Sequence, residues 1–149
     1  MNRFFQALHP IAVTAWAGGL WIVGYLVAPL LFTAVQDHAL AGTLAGRMFH
    51  GIAWVGLACG VYLLLYELLR FGAGALKRSV FWFAFLMFVL TLILQFWLQP
   101  FIANLRAVGA PVDALAAPGR HFAFWHGASS TLYLIESLLG VGLVLRSRA

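Results

Sequence analysis

This chain reads as an all-α protein: an integral membrane four-helix bundle running up-down-up-down, with antiparallel neighbours and both termini cytoplasmic. Three features carry that expectation. Four long apolar runs fill nearly all of the 149 residues, the composition is 64% hydrophobic and 9% charged, and the few basic residues gather at the ends of the runs. A soluble domain carries about 25% charged residues. A run of about 18 or more apolar residues crosses a hydrocarbon core about 30 Å thick as helix. Helix is the form taken because lipid offers the backbone no partners.

The first span is expected over residues 5–35, since Phe4 to Gln36 carries no formal charge. Met1-Asn2-Arg3 and Ala15-Trp16-Ala17 mimic a secretory signal and its cleavage site. A signal core is only about 7–15 residues, whereas this run continues to Val35, so it is read as a retained span. The second span is expected over 42–70. It holds Cys59, the one cysteine, as a small packing residue with no internal disulfide. Glu67 and Arg70 near its end have the spacing of an ion pair. The third span is expected over 78–104 and the fourth over 121–145, where Glu136 is the single charge. Pro29 and Pro100 each remove a backbone donor and should bend or end a helix. Ala107 to Gly119, with Gly109, Pro111 and Pro118, is expected as an irregular outer loop. Four spans and their turns leave no room for a separate soluble domain, so residues 1–149 form one domain.

Basic residues mark the cytoplasmic side of a membrane protein. Arg3, Arg70, Lys77, Arg78, Arg146 and Arg148 fall on one side under this topology, and Asp37 and His38 on the other. Arg106 and Arg120, with Asp113 between them, dilute the contrast. The formal net charge of +5 is spread over helix ends that anchor to lipid headgroups. A nucleic-acid surface needs a clustered basic face, so nucleic acid is not an expected partner.

The fourth span breaks its own apolar pattern. His126, Ser129, Ser130, Tyr133, Glu136, Ser137 and Gly140 recur at spacings of three and four, which puts them on one helical face. Unpaired polar groups in lipid cost several kcal/mol each, so such a face looks into the bundle or into water. Thr91, Gln95 and Gln99 form a matching row on span three, and Arg47, His50 and Trp54 share a face of span two. At 1.5 Å per residue His50, Gln95, Gln99, His126 and Ser130 all lie about 9–15 Å below the outer boundary, so they can converge on one outer-facing pocket. Arg47 lies nearer the surface, suited to an anionic group, with Arg120 and His121 at the rim. Glu136 sits near the midplane, where an ionised carboxylate needs a proton or a partner.

Each polar residue also has a plain reading, interhelical hydrogen bonding. The pocket candidates are therefore His126, His50, Glu136, Arg47, Gln95, Gln99, Ser129, Ser130 and Tyr133, for a ligand or a proton. Two histidines from different helices can hold a haem iron axially, which nominates His50 and His126 for b-type haem. Copper or zinc is the other metal reading. Cys-x-x-Cys-His and His-Glu-x-x-His motifs, a methionine cluster and a nucleotide loop are all absent from the sequence. No nucleophile and base pair up convincingly, so no catalytic residue is named.

Gly42 and Gly46 form one GxxxG, and Gly56 and Gly60 another. Small residues let helices approach closely in lipid. They are read as packing within the bundle, with a homo-oligomer through Gly56 and Gly60 as the alternative.

The whole chain resembles the small four-span family named for transmembrane protein 205. The motifs are Leu8-His9, Trp16-Ala17-Gly18-Gly19, Val27-Ala28-Pro29, Ala45-Gly46-Arg47-Met48-Phe49 and, most specifically, His126-Gly127-Ala128-Ser129-Ser130. That resemblance implies a multi-pass protein of the bacterial cytoplasmic (inner) membrane with no established activity. Span one alone is also similar to HemJ-type haem-binding oxidases and to copper-resistance D-type membrane domains, a likeness that implies His9 as a haem or metal ligand. The HemJ pattern has Pro-Arg-Leu where this chain has Pro29-Leu30-Leu31. The leading expectation is a non-enzymatic membrane protein whose polar pocket binds or conducts a small ligand, metal ion or proton. A b-type haem redox protein and an assembly partner using its GxxxG faces are the alternatives.

Overall fold

The computed structural model describes residues 3–107 and 117–147, with the side chains of 105–107 and 117–122 outside that description. Apart from residues 35–37 and Arg78, which link helices, the described residues are helical. Helix α1 (Arg3–Trp21) runs through a π turn (Ile22–Val27) into α2 (Ala28–Ala34). Helix α3 (His38–Phe71) ends in a 3-10 turn (Gly72–Lys77). Helix α4 (Ser79–Ile93) passes through a second π turn (Leu94–Leu98) into α5 (Gln99–Ala107), and α6 (Ala117–Ser147) closes the chain. Four stretches are long and apolar enough to cross a membrane: Arg3–Ala34, His38–Lys77, Ser79–Asn104 and Ala123–Ser147. They indicate a multi-pass membrane protein.

The boundaries follow from local chemistry. Span two begins at His38, earlier than expected, because Asp37 caps it: its Oδ1 accepts from the Ala39 and Leu40 N–H groups at 2.9 and 3.2 Å. Span two ends where Gly72 takes a φ of 54° that an L side chain resists, while its N–H still reaches Leu68 O. Pro29 and Pro100 do not end their helices. The residue before each donates five residues back, Ala28 N–H to Val23 O and Gln99 N–H to Leu94 O. A π turn thus adds a residue just where a proline ring would press on the carbonyl four residues earlier. Helix α6 starts at Ala117, so it takes in part of the expected outer loop, and residues 108–116 of that loop lie outside the described residues.

Contacts between spans define the bundle. Span one meets span two through Phe5 with Tyr62, Trp16 with Gly60 and Gly56, and Phe32 with His38. It meets span four through Trp21 with Ser137 and Ala17 with Gly140. Span three joins span two at Phe88 and Gly60, and span four at Phe83 and Gly142. One half of the interior is solid. Ala12, Val13, Leu63, Val80, Ala84, Met87 and Leu143 pack around Trp16, which is wholly buried. From Trp16 towards Phe32 and Gly42 the interior is instead a cavity.

The glycines of span two explain how an indole fits at the centre. A Cβ on Gly56 would lie 2.5 Å from Trp16 Nε1, and one on Gly60 would lie 2.9 Å from Trp16 Cη2 and 2.6 Å from Phe88 Cδ2. The Gly56 and Gly60 face, nominated above for pairing two copies, is therefore filled by Trp16 and Phe88 of the same chain. Gly60→Ala should overpack this layer and cost about 1–3 kcal/mol in reversible unfolding from lipid. Gly18→Ala, where a Cβ meets nothing within 4 Å, should stay within about 0.5 kcal/mol of wild type. Equal effects of the two would contradict this packing.

Candidate functional site

The cavity has a volume of about 520 Å³ and touches all four spans. Ligand pockets are concave, mostly apolar, about 300–1,000 Å³ in size, and carry a few placed polar groups. Trp16, Thr91 and Glu136 form the deep end, and Phe32, Gly42 and His126 border the other. Among the residues nominated from sequence, Gln95, Gln99, His126, Ser129, Ser130, Tyr133 and Glu136 all border this space. Arg47 and His50 do not. They line a lateral groove between spans two and three, on the outer side of the cavity wall.

Glu136 is 1% exposed. Thr91 Oγ1 lies 2.5 Å from Glu136 Oε1 and 2.9 Å from Met87 O. A threonine hydroxyl has one proton to donate, and here it faces two acceptors. All three oxygens are satisfied when the carboxyl contributes a proton of its own, or when a bound group supplies one. Trp16 Nε1, on the same cavity wall, is buried and has no hydrogen-bond partner among the described residues, and neither has the buried Ser137 Oγ next to Glu136 in sequence. The deep end thus holds more hydrogen-bonding capacity than the protein itself uses.

The rest of the polar stripe is tied down in two ways. Tyr133 reaches across to span one, where its hydroxyl donates to Leu20 O at 2.6 Å. Its ring packs edge-on to Phe49 and occupies the space a Cβ at Gly24 would need. Ser129 and Ser130 both donate to His126 O, at 2.8 and 2.9 Å. Their protons serve their own helix, and their lone pairs remain available as acceptors.

His50 uses both ring nitrogens. The Trp54 indole can only donate, so His50 Nε2 accepts from it at 3.1 Å. His50 Nδ1 faces the Gln95 side-chain amide in a short contact. Gln95 itself borders both the groove and the cavity. His9 lies elsewhere, at the end of the bundle near the termini, 3.9 Å from Glu67 Oε1 and with its ring tilted against Tyr66 at a centroid distance of 4.8 Å. The three histidines nominated for haem or metal thus sit in three surroundings. Among the described residues no three His, Cys, Asp or Glu side chains group to hold a metal ion.

The ion pair expected between Glu67 and Arg70 is replaced. Glu67, 2% exposed, accepts from Arg78 Nε at 2.9 Å across the short turn. Arg70 donates to the Tyr66 hydroxyl at 2.6 Å instead. A turn as tight as Gly72–Lys77 brings Arg78 back over span two, a closure that helical spacing does not reveal. Sequence reasoning also missed Trp16, Gly24 and Tyr25 as cavity walls. The available signal was the small patch at Gly18 and Gly19, together with glycines facing an indole of matching size.

These features define an all-helical, multi-pass membrane protein with a mostly apolar cavity bordered by all four spans. Residues 11–111 match a family described as a domain of unknown function, DUF4149, and the chain belongs to that family. The matched region covers most of span one and all of spans two and three, and stops before α6, which carries His126 and Glu136. No curated protein matches the chain, and no solved structure does. The likeness to the transmembrane protein 205 family rests on the motifs quoted above.

Proton counting gives a direct test. In Glu136→Gln the amide N–H₂ can donate to Thr91, so unfolding stability should stay within about 1 kcal/mol of wild type. Infrared difference spectra between the two should show a protonated carboxyl carbonyl band present only in wild type. A carboxylate band in its place would mean that a bound cation or donor, rather than a carboxyl proton, completes the site.

Proposed function

We propose that this chain is a non-enzymatic, multi-pass protein of the bacterial inner membrane that binds a small ligand inside its cavity. It would run up-down-up-down as one four-span domain with both termini cytoplasmic, so that the cavity faces outward. The observation that carries this reading is the cavity of about 520 Å³ with a buried carboxyl at its deep end. Stability alone gives little reason to keep such groups. Side-chain hydrogen bonds between membrane helices contribute only about 0.6 kcal/mol on average. A solid apolar core, like the one at the other end of this bundle, would hold the helices without them.

In this reading Glu136 and Thr91 hold the polar end of the ligand or a proton. Gln95, Gln99, His126, Ser129 and Ser130 supply donors and acceptors along the wall, and Tyr133 fixes spans one and four around it. His50 holds Gln95 in place from outside. No observation favours the b-type haem alternative, since His9, His50 and His126 border different surroundings.

Thiol accessibility tests the cavity and the orientation together. With Cys59 replaced by Ser, a Ser130→Cys variant in intact cells should react with a membrane-impermeant thiol reagent added outside. Leu138→Cys, on an exposed apolar surface of the same helix, should not. Reaction only after the cytoplasmic side is opened would reverse the topology. No reaction from either side would remove the water-accessible cavity.

A further inference from the structure

The lateral groove holds a cation that the cavity does not use. Arg47 lines it and is exposed, and among the described residues no carboxylate lies within ion-pair range of it. Its depth follows from helix length. Helix α3 has 34 residues, hence a length of about 51 Å at 1.5 Å per residue. Centred on a hydrocarbon core of about 30 Å, it projects roughly 10 Å at each end. Arg47 lies about 13 Å from the His38 end, so its Cα sits just inside the hydrocarbon boundary and its guanidinium reaches the headgroup phosphates.

Deeper in the groove the surface turns apolar. Trp54 and Phe96, both more than half exposed, meet edge to face with ring centroids 6.0 Å apart. A cation at phosphate depth above an aromatic surface at acyl-chain depth complements a lipid with an anionic head. Arginine's planar fork suits phosphate oxygens in pairs. The wall behind the groove is thin. Gly46, Gln95, Gln99 and Ile102 border both the groove and the cavity. Gly46 contributes no side chain, and a Cβ there would meet nothing within 4 Å.

We infer that an anionic phospholipid seats its phosphate on Arg47, lays a chain over Trp54 and Phe96, and reaches the cavity through the wall at Gly46 and Gln95. This rests on the cavity reading above and names its ligand class: an amphiphile drawn sideways from the bilayer. The Gln95 contact with His50 latches the wall.

The test uses the full chain in nanodiscs doped with phosphatidylglycerol bearing a photoactivatable acyl chain, with cross-links mapped by peptide mass. Label should fall near Trp54 and Phe96 and also near Tyr133. Arg47→Gln should cut groove labelling about tenfold, the loss of one charge-assisted contact, and Arg47→Lys should restore most of it. Gly46→Phe should abolish label at Tyr133 while sparing the groove. All three variants should elute as wild type on gel filtration, and the R47K rescue guards against a misfolded R47Q. Groove labelling unchanged in R47Q, or label at Tyr133 unchanged in G46F, would overturn the inference. Competition by millimolar inorganic phosphate would overturn its lipid identity. An unlabelled groove beside a reactive S130C thiol removes this inference and leaves the cavity standing. An unreactive S130C thiol removes the cavity itself.

Discussion

Lipid accepts and donates no hydrogen bonds, and that single constraint organises this bundle. Every polar atom within the hydrocarbon must find a partner in the protein or in a water-filled space, at a cost of several kcal/mol if it finds none. The chain answers in three ways. The hydroxyls of Ser129, Ser130 and Thr131 in α6 turn back onto their own helix carbonyls. Tyr133 and Trp21 bridge spans one and four through backbone oxygens. Glu136 meets Thr91 across the bundle. Among the described residues, Trp16 Nε1 and Ser137 Oγ are the buried side-chain atoms left over, and Trp16 borders the deep end of the cavity.

The division between a solid half and a hollow half follows from side-chain size. Towards the termini, aliphatic residues of all four spans interlock around Trp16, and the buried Glu67 is neutralised by Arg78 close to the membrane surface. Beyond Trp16 several facing positions are small, Gly24, Gly42, Ala45 and Gly46 on spans one and two, so the apolar side chains Leu20, Phe32, Phe49, Ile52 and Leu94 line the space together with the glutamines and serines rather than filling it. The two π turns fall in the spans that border this hollow half, and π turns often mark working parts of a helix.

Much of this was legible in the sequence. The four spans follow from apolar run lengths, which lipid makes nearly obligatory. The α6 stripe follows from 3.6-residue periodicity, and Gln95, Gln99, His126 and Glu136 do border one space. What escaped was azimuth and closure. Arg47 and His50 share the depth of the cavity residues but face its outer side, because depth is linear in sequence whereas facing depends on how α3 is rotated. The Glu67 partnership escaped because it depends on a turn, and the sequence left open whether Pro29 and Pro100 bend or end a helix because proline chemistry is local while the π turn that absorbs it is not. The Gly56 and Gly60 pair read as packing within the bundle, with a face for a second copy as the alternative, and its partner residues Trp16 and Phe88 are visible only in the structure.

Spin labels placed one by one along α6 would probe the central claim most directly, with collision rates measured for oxygen, which prefers lipid, and for a water-soluble nickel chelate. Positions on the His126, Ser130 and Tyr133 face should favour the chelate and those on the Phe124, Ile135 and Leu138 face should favour oxygen, the two profiles running out of phase with a period of about 3.6 residues. Profiles that run in phase, or a stripe that favours oxygen, would place those polar side chains in lipid and contradict the account.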